Sequence, residues 1–83
     1  MDKNNINVSI RNKQGSLFDG KVKAVSSYND KGLFDILSEH ENFISLIKNK
    51  IVIHKNAKEK QEIKIDNGVL RVYKNRVEIY VGV

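Results

Sequence analysis

The sequence predicts an all-β domain, an antiparallel β-sandwich, on three observations. Apolar residues alternate with polar ones along much of the chain, β-branched residues fill the apolar runs, and turn signals interrupt those runs at short intervals. Period-two alternation marks strands with one buried face, and many short strands at close spacing pack as a sandwich or barrel.

The elements follow in order. Ile6, Val8 and Ile10 alternate with Asn7, Ser9 and Arg11, and "KQG" ending at Gly15 closes this first strand. Gly20 marks a further break, after which Val22 and Ala24 alternate with Lys21 and Lys23. "NDKG" (29–32) turns the chain into "LFDIL" (33–37). The stretch "SEHENFISLIKNK" (38–50) is ambiguous. Ser38 with Glu41 is a capping-box pattern, and Phe43, Ile44 and Ile47 have the i, i+1, i+4 spacing of a short helix. A bulged strand accounts for the same residues and is preferred, because seven other strand signals surround it and no second helix exists for it to pack on. Turn signals at "KNK" (48–50), "NAKE" (56–59), "DNG" (66–68) and "YKN" (73–75) then separate "IVIHK" (51–55), "EIKI" (62–65), "VLRV" (69–72) and the closing run in which Val77, Ile79 and Val81 alternate with Glu78 and Tyr80. The alternation predicts a core of Ile6, Val8, Ile10, Phe18, Val22, Ile36, Leu37, Ile53, Leu70, Val72, Val77 and Ile79.

Composition bounds the function. At 83 residues without a Pro- or Ser-rich linker the chain reads as one domain, 1–83, and a domain of this size buries only roughly 60% of its unfolded surface. No cysteine removes disulfides and thiolate metal sites, which points to a reducing, intracellular compartment. The start "MDKNNINVSI" has neither the basic nor the apolar region of a signal peptide, and no apolar run is long enough to span a bilayer. The net charge of +5 is concentrated. Residues 1–47 carry six basic and six acidic side chains, whereas 48–64 carries six lysines against Glu59 and Glu62. That tract holds no arginine and no aromatic residue, so it lacks the stacking and bidentate groups of a nucleic-acid module and reads as solvation beside an apolar strand.

Catalytic chemistry finds little support. Glu39, His40 and Glu41 are consecutive, so their side chains diverge on any regular element, and no nucleophile recurs at a spacing that would build a relay. They would need a further convergent ligand to hold a metal, and His54 is the other histidine of the chain. The five glycines are isolated, so no phosphate cradle is present. The expectation is no catalytic residue, no metal and no cofactor.

Three stretches carry a family resemblance. "INVSIRNKQGSLFDGKVKAVSS" (6–27) resembles the amino-terminal strands of the epsilon subunit of rotary ATP synthases, called delta in mitochondria. "GLFDILSEH" (32–40) is similar to the family's G-x-φ-G-I-L-P-x-H segment at Gly32, Ile36, Leu37 and His40. "NGVLRVYKNRVEIYV" (67–81) is similar to its closing hairpin at Gly68, Leu70, Val72, Asn75 and Val77. Asp35 and Asn67 stand where the family has glycine, Ser38 where it has proline, Asn49 and Lys50 where Pro-Gly is usual, and Leu33 where a polar or acidic residue is common.

The resemblance implies a sandwich of two roughly five-stranded sheets that makes no bonds. It would belong to the central stalk of a proton-translocating ATP synthase on the inner face of the cell membrane, docking on the gamma subunit and facing the c-ring. Carried over by position, Asn29, Asp30, Lys31, Gly32, Leu33, His40 and Glu41 would face the ring, with His40 a turn residue. Leu17, Phe34, Phe43, Tyr73 and Tyr80 are the candidate gamma contacts. The family usually continues into a carboxy-terminal helical hairpin, and this sequence stops at Val83, so the expectation is the sandwich without the hairpin, monomeric when isolated. The alternative is a free-standing binding module whose Lys-rich segment takes an acidic partner or nucleic acid.

Overall fold

A computed structural model describes residues 5–82. They form seven strands, β1 (Ile6–Asn12), β2 (Gly15–Val22), β3 (Ala24–Asn29), β4 (Gly32–Leu37), β5 (Phe43–His54), β6 (Lys60–Tyr73) and β7 (Arg76–Val81). Among the described residues no helix is long and apolar enough to cross a membrane. The strands make one mixed sheet in the order β2-β1-β7-β6-β5-β3-β4. Every pairing is antiparallel except β1 with β7, where Val8 lies beside Val77 and Ile10 beside Ile79.

Two long strands turn this sheet into a sandwich. β5 and β6, of 12 and 14 residues, pair along their whole length with one register shift. Lys48 faces Asn67 while Asn49 faces Ile65, which leaves Asp66 as an extra residue. Such a bulge bends both strands and increases their twist. Asn49 takes up the bend at φ 72°, a left-handed conformation that asparagine tolerates better than most residues. The first half of β5 and the second half of β6 thus lie with β7, β1 and β2 in one layer. The remaining halves lie with β3 and β4 in the other. The turn signals at 48–50 and 66–68 therefore mark a bend inside two strands rather than two turns, and the pattern of 62–65 and 69–72 belongs to a single strand.

The layers share one core. Ile6, Val8, Ile10, Val22, Leu70, Val72, Val77 and Ile79 from one half meet Val25, Ile36, Ile51 and Ile53 from the other in a single buried cluster, and Phe18, Phe34, Phe43, Ile63 and Ile65 pack against its rim. Phe18 is thus half-buried. Leu37 departs further from expectation, being 57% exposed. It follows Ile36 directly, neighbouring side chains on a strand point to opposite faces, and Ile36 holds the inside.

Three local expectations also change. Residues 38–50 contain no helix: the chain passes through a short connection and enters β5. Gly20 lies within β2, opposite Val8. The alternation of Val22 and Ala24 is split at Lys23, whose amide donates to the His54 carbonyl at 2.9 Å as the chain crosses from one layer to the other. The remaining turns follow from local chemistry. Asn12 Oδ1 accepts from the amides of Gln14 and Gly15, and Asn56 Oδ1 from those of Lys58 and Glu59. Lys74 and Asn75 have φ of 48° and 60°, the type I′ geometry that matches strand twist in a two-residue hairpin.

Candidate interaction surfaces

The residues expected to face a ring fall into two groups. Asn29, Asp30, Lys31 and Gly32 make the β3–β4 hairpin, where Asn29 pairs with Gly32 and its Oδ1 accepts from the Lys31 amide at 2.8 Å. Gly32 has φ 113°, which a side chain would strain. Asn29 Nδ2 donates to Ser45 Oγ at 3.3 Å, fixing the hairpin beside β5, and Leu33 projects outward at 61% exposure. His40 and Glu41 lie beyond the other end of β4, about 17 Å away by strand rise. The His40 amide donates to the Leu37 carbonyl at 3.3 Å, its Nδ1 lies 2.7 Å from the Glu41 carbonyl, and its ring meets Phe43 edge-on. With Nδ1 bonded to a backbone oxygen, His40 is a turn residue.

The candidate gamma contacts also divide. Phe34 and Phe43 stack edge to face at 5.6 Å and pack against the core, so they point inward. Leu17, at the β1–β2 bulge, Tyr73 and Tyr80 are 41%, 40% and 49% exposed. Two residues more exposed than these escaped the sequence reading. Ile44 and Leu46 project from β5 at 71% and 75% exposure. By register Leu46 stands beside Val69, Val69 beside Tyr80, and Tyr80 beside Arg11, while Ile44 stands beside Arg71. The outer face of this layer thus carries an apolar band across three strands. The signal was present: Phe43, Ser45 and Ile47 alternate with Ile44 and Leu46.

On the outer face of the other layer the fold assembles a constellation that sequence spacing could not show. Ser26, on β3, is 5% exposed, and its hydroxyl donates to Asp35 Oδ1 on β4 while lying 2.9 Å from His54 Nε2 on β5. A serine has one hydroxyl proton. With that proton directed at Asp35, it is not directed at His54. In a nucleophilic relay the imidazole accepts the serine proton and the carboxylate orients the imidazole. Here the serine stands between the two, so the arrangement braces the edge strand β4 to β5 rather than activating Ser26.

This group lines a cleft of about 430 Å³ with Lys23, Ala24, Leu37, Asn56, Ala57 and Lys60. Glu39, His40 and Glu41 do not converge with it, and among the described residues no cluster of three His, Cys, Asp or Glu has the geometry of a metal site. The Lys-rich tract is partly paired: Lys48 lies 3.8 Å from Asp30 and Lys50 3.5 Å from Glu62, both at the surface, where such pairs contribute little.

Comparison with known proteins agrees with this architecture. The family model described as "ATP synthase, Delta/Epsilon chain, beta-sandwich domain" matches residues 5–83. ATP synthase epsilon chains of Helicobacter pylori strains HPAG1 and Shi470 are 31% and 30% identical over 74 residues, covering 89% of this chain. The chain spans 60% of the length of those relatives. A chain in the cryo-EM structure of the Euglena gracilis mitochondrial ATP synthase, OSCP/F1/c-ring in rotational state 1, superposes with TM-score 0.86 at 16% identity, over 94% of this chain and 51% of that one. One in the central stalk/c-ring structure of the Tetrahymena thermophila mitochondrial ATP synthase superposes with TM-score 0.76 at 12% identity, over 98% and 66%. These two share the fold. With the family model spanning all but the first four residues, the chain belongs to the delta/epsilon chain family of ATP synthase, as its β-sandwich domain.

Proposed function

We propose that the chain is a non-catalytic component of the central stalk that docks on a gamma subunit through the outer face of β5, β6 and β7. The observation that carries this reading is the apolar band of Ile44, Leu46, Val69 and Tyr80. Isolated exposed apolar residues are ordinary, but neighbours across three strands form a patch of the kind that partners cover. Burying Ile44 and Leu46 would contribute about 2 kcal/mol each, enough to anchor an interface whose rim is supplied by Arg71, Glu78 and Arg11.

The β3–β4 hairpin with Leu33 borders this band and is the segment assigned to a c-ring. Asn29, Asp30 and Lys31 line a depression of about 410 Å³ with Phe43, Ile44, Ser45 and Leu46. The turn at His40 and Glu41, beside Phe43, is the second segment assigned to a c-ring. Rotation would pass through these contacts, with no bond made or broken on this chain.

Co-purification with the gamma subunit of the same organism tests the reading. A one-to-one complex at micromolar concentration is expected. Ile44→Glu with Leu46→Glu should abolish it while leaving the thermal midpoint of the free domain within a few degrees. Failure of the unmodified, folded chain to associate, or an undiminished complex with the double variant, would remove the proposal.

A further inference from the structure

The first half of β6 is an open edge. β7 pairs only with residues 68–73 of that strand, so residues 60–65 have a neighbour, β5, on one side alone. Which backbone groups are left over follows from β5. The His54 carbonyl accepts the Lys23 amide at 2.9 Å and the Lys50 carbonyl accepts the Ser27 hydroxyl at 2.8 Å, so both face away from β6. Successive residues of a strand turn their backbone groups to opposite sides, so Ile51 and Ile53 bond across to Ile63 and Gln61. The amides and carbonyls of Lys60, Glu62 and Lys64 therefore face the open side. Beside them lies a depression of about 270 Å³ between β6 and the β1–β2 hairpin. Ile63, Ile65, Val81 and Leu17 give it aliphatic walls, and its charged lining residues are Lys13 and Lys64, with no carboxylate. Neither lysine has an ion partner among the described residues. Of the carboxylates that flank Lys64 along β6, Glu62 lies 3.5 Å from Lys50, and Asp66, the extra residue of the bulge, is outside the lining.

We propose that this edge takes an added strand: an extended segment of a partner protein, with aliphatic and acidic residues in alternation, whose backbone pairs with Lys60, Glu62 and Lys64. Strand addition draws affinity from main-chain bonds and specificity from pockets for alternate side chains. Side chains in line with Ile63 and Ile65 enter the depression against Leu17 and Val81. Those of the other parity stand beside Lys60 and Lys64, where a carboxylate is favoured and a like charge opposed. A second copy of this chain is the poorer occupant. Two such edges paired antiparallel over their full length would set Lys60 against Lys64 and Glu62 against Glu62, and like charges directly opposite destabilise a pair.

The test is amide hydrogen exchange and shift mapping by NMR on the 15N-labelled chain, with acetylated, amidated peptides of equal length: alternating valine and glutamate, the same peptide N-methylated throughout, and alternating valine and lysine. The valine–glutamate peptide is expected to bind with a Kd of order hundreds of micromolar at low salt. At saturation it should slow exchange of the Glu62 and Lys64 amides by about tenfold or more, while those of Gln61 and Ile63, already bonded to β5, change little. The N-methylated peptide, which cannot donate from its backbone, and the valine–lysine peptide should each bind roughly fivefold more weakly or worse. Leu17→Ser, at a position 41% exposed, should keep the fold and weaken the first peptide by a similar factor. Any of four results would overturn the proposal: unaltered exchange at Glu62 and Lys64 in millimolar valine–glutamate peptide, equal binding of the N-methylated peptide, equal binding of the valine–lysine peptide, or undiminished binding by Leu17→Ser. None of these outcomes bears on the gamma complex, since Ile44 and Leu46 line no part of this depression.

Discussion

Asn75 Oδ1 accepts the Glu39 amide at 2.8 Å across 36 residues of sequence. The same side chain donates from Nδ2 to the Asn5 carbonyl at 2.8 Å, 70 residues away, while its own backbone sits at φ 60° in the β6–β7 hairpin. One carboxamide thereby ties the amino-terminal strand and the connection between the two layers to a single turn. Glu39 is itself at φ 62°, so the bond holds that connection in a conformation with a steric cost.

Asn75→Ala should therefore lose two hydrogen bonds and put in left-handed backbone a residue that tolerates it less well than asparagine, costing about 2–4 kcal/mol. Asn75→Gly restores the backbone freedom but not the bonds and should cost about 1–2 kcal/mol. Urea denaturation of both variants measures the difference. Equal losses would show that the conformation of the turn contributes nothing.

Gly68 should not accept a side chain. A β-carbon there would lie 2.8 Å from the Tyr80 carbonyl oxygen and 3.2–3.3 Å from Val81 and Ile47, and the first neighbour is backbone held in the β6–β7 pairing. Gly68→Ala is expected to lower stability by about 1–3 kcal/mol. An unchanged thermal midpoint would mean that the sheet shifts freely at this bend.

Charge and burial should separate cleanly on β5. Ile53, fully buried in the core, should cost about 2–5 kcal/mol as Ile53→Ala. Ile44→Glu, at a position 71% exposed, should change stability by less than about 0.5 kcal/mol. Thermal melts of the two variants decide it; a large loss for Ile44→Glu would place that side chain in the core of the free domain.

Ser26→Ala removes the hydroxyl that joins Asp35 to His54 and should cost about 1–2 kcal/mol. Because β4 is the terminal strand and pairs only with β3, its amides should gain exchange rate more than those of β7. Hydrogen exchange of the variant provides the measurement, and uniform acceleration across the sheet would count against a local brace.

Strand existence was legible because period-two alternation is a local property: the inward residues of β1 and β7 could be read from neighbours in the chain. The turns at 13–15, 56–59 and 73–75 and the resemblance at Gly68 and Asn75 were legible for the same reason, since turn geometry depends on the few residues that make it. Other features depended on what lay across the sheet. Whether Ile36 or Leu37 took the inside, whether Asn49 and Asp66 ended strands or bent them, and that Val22 and Ala24 belong to different layers were decided by register and by where the sheet folds over. Ser26, Asp35 and His54, and likewise Leu46, Val69 and Tyr80, are distant in sequence and meet only through pairing. A sequence by itself determines which residues can form strands and turns, because steric and hydrophobic preferences act between chain neighbours. Which side chains then share a surface is decided by the tertiary structure, because a one-residue difference in register sends every side chain of a strand to the other face.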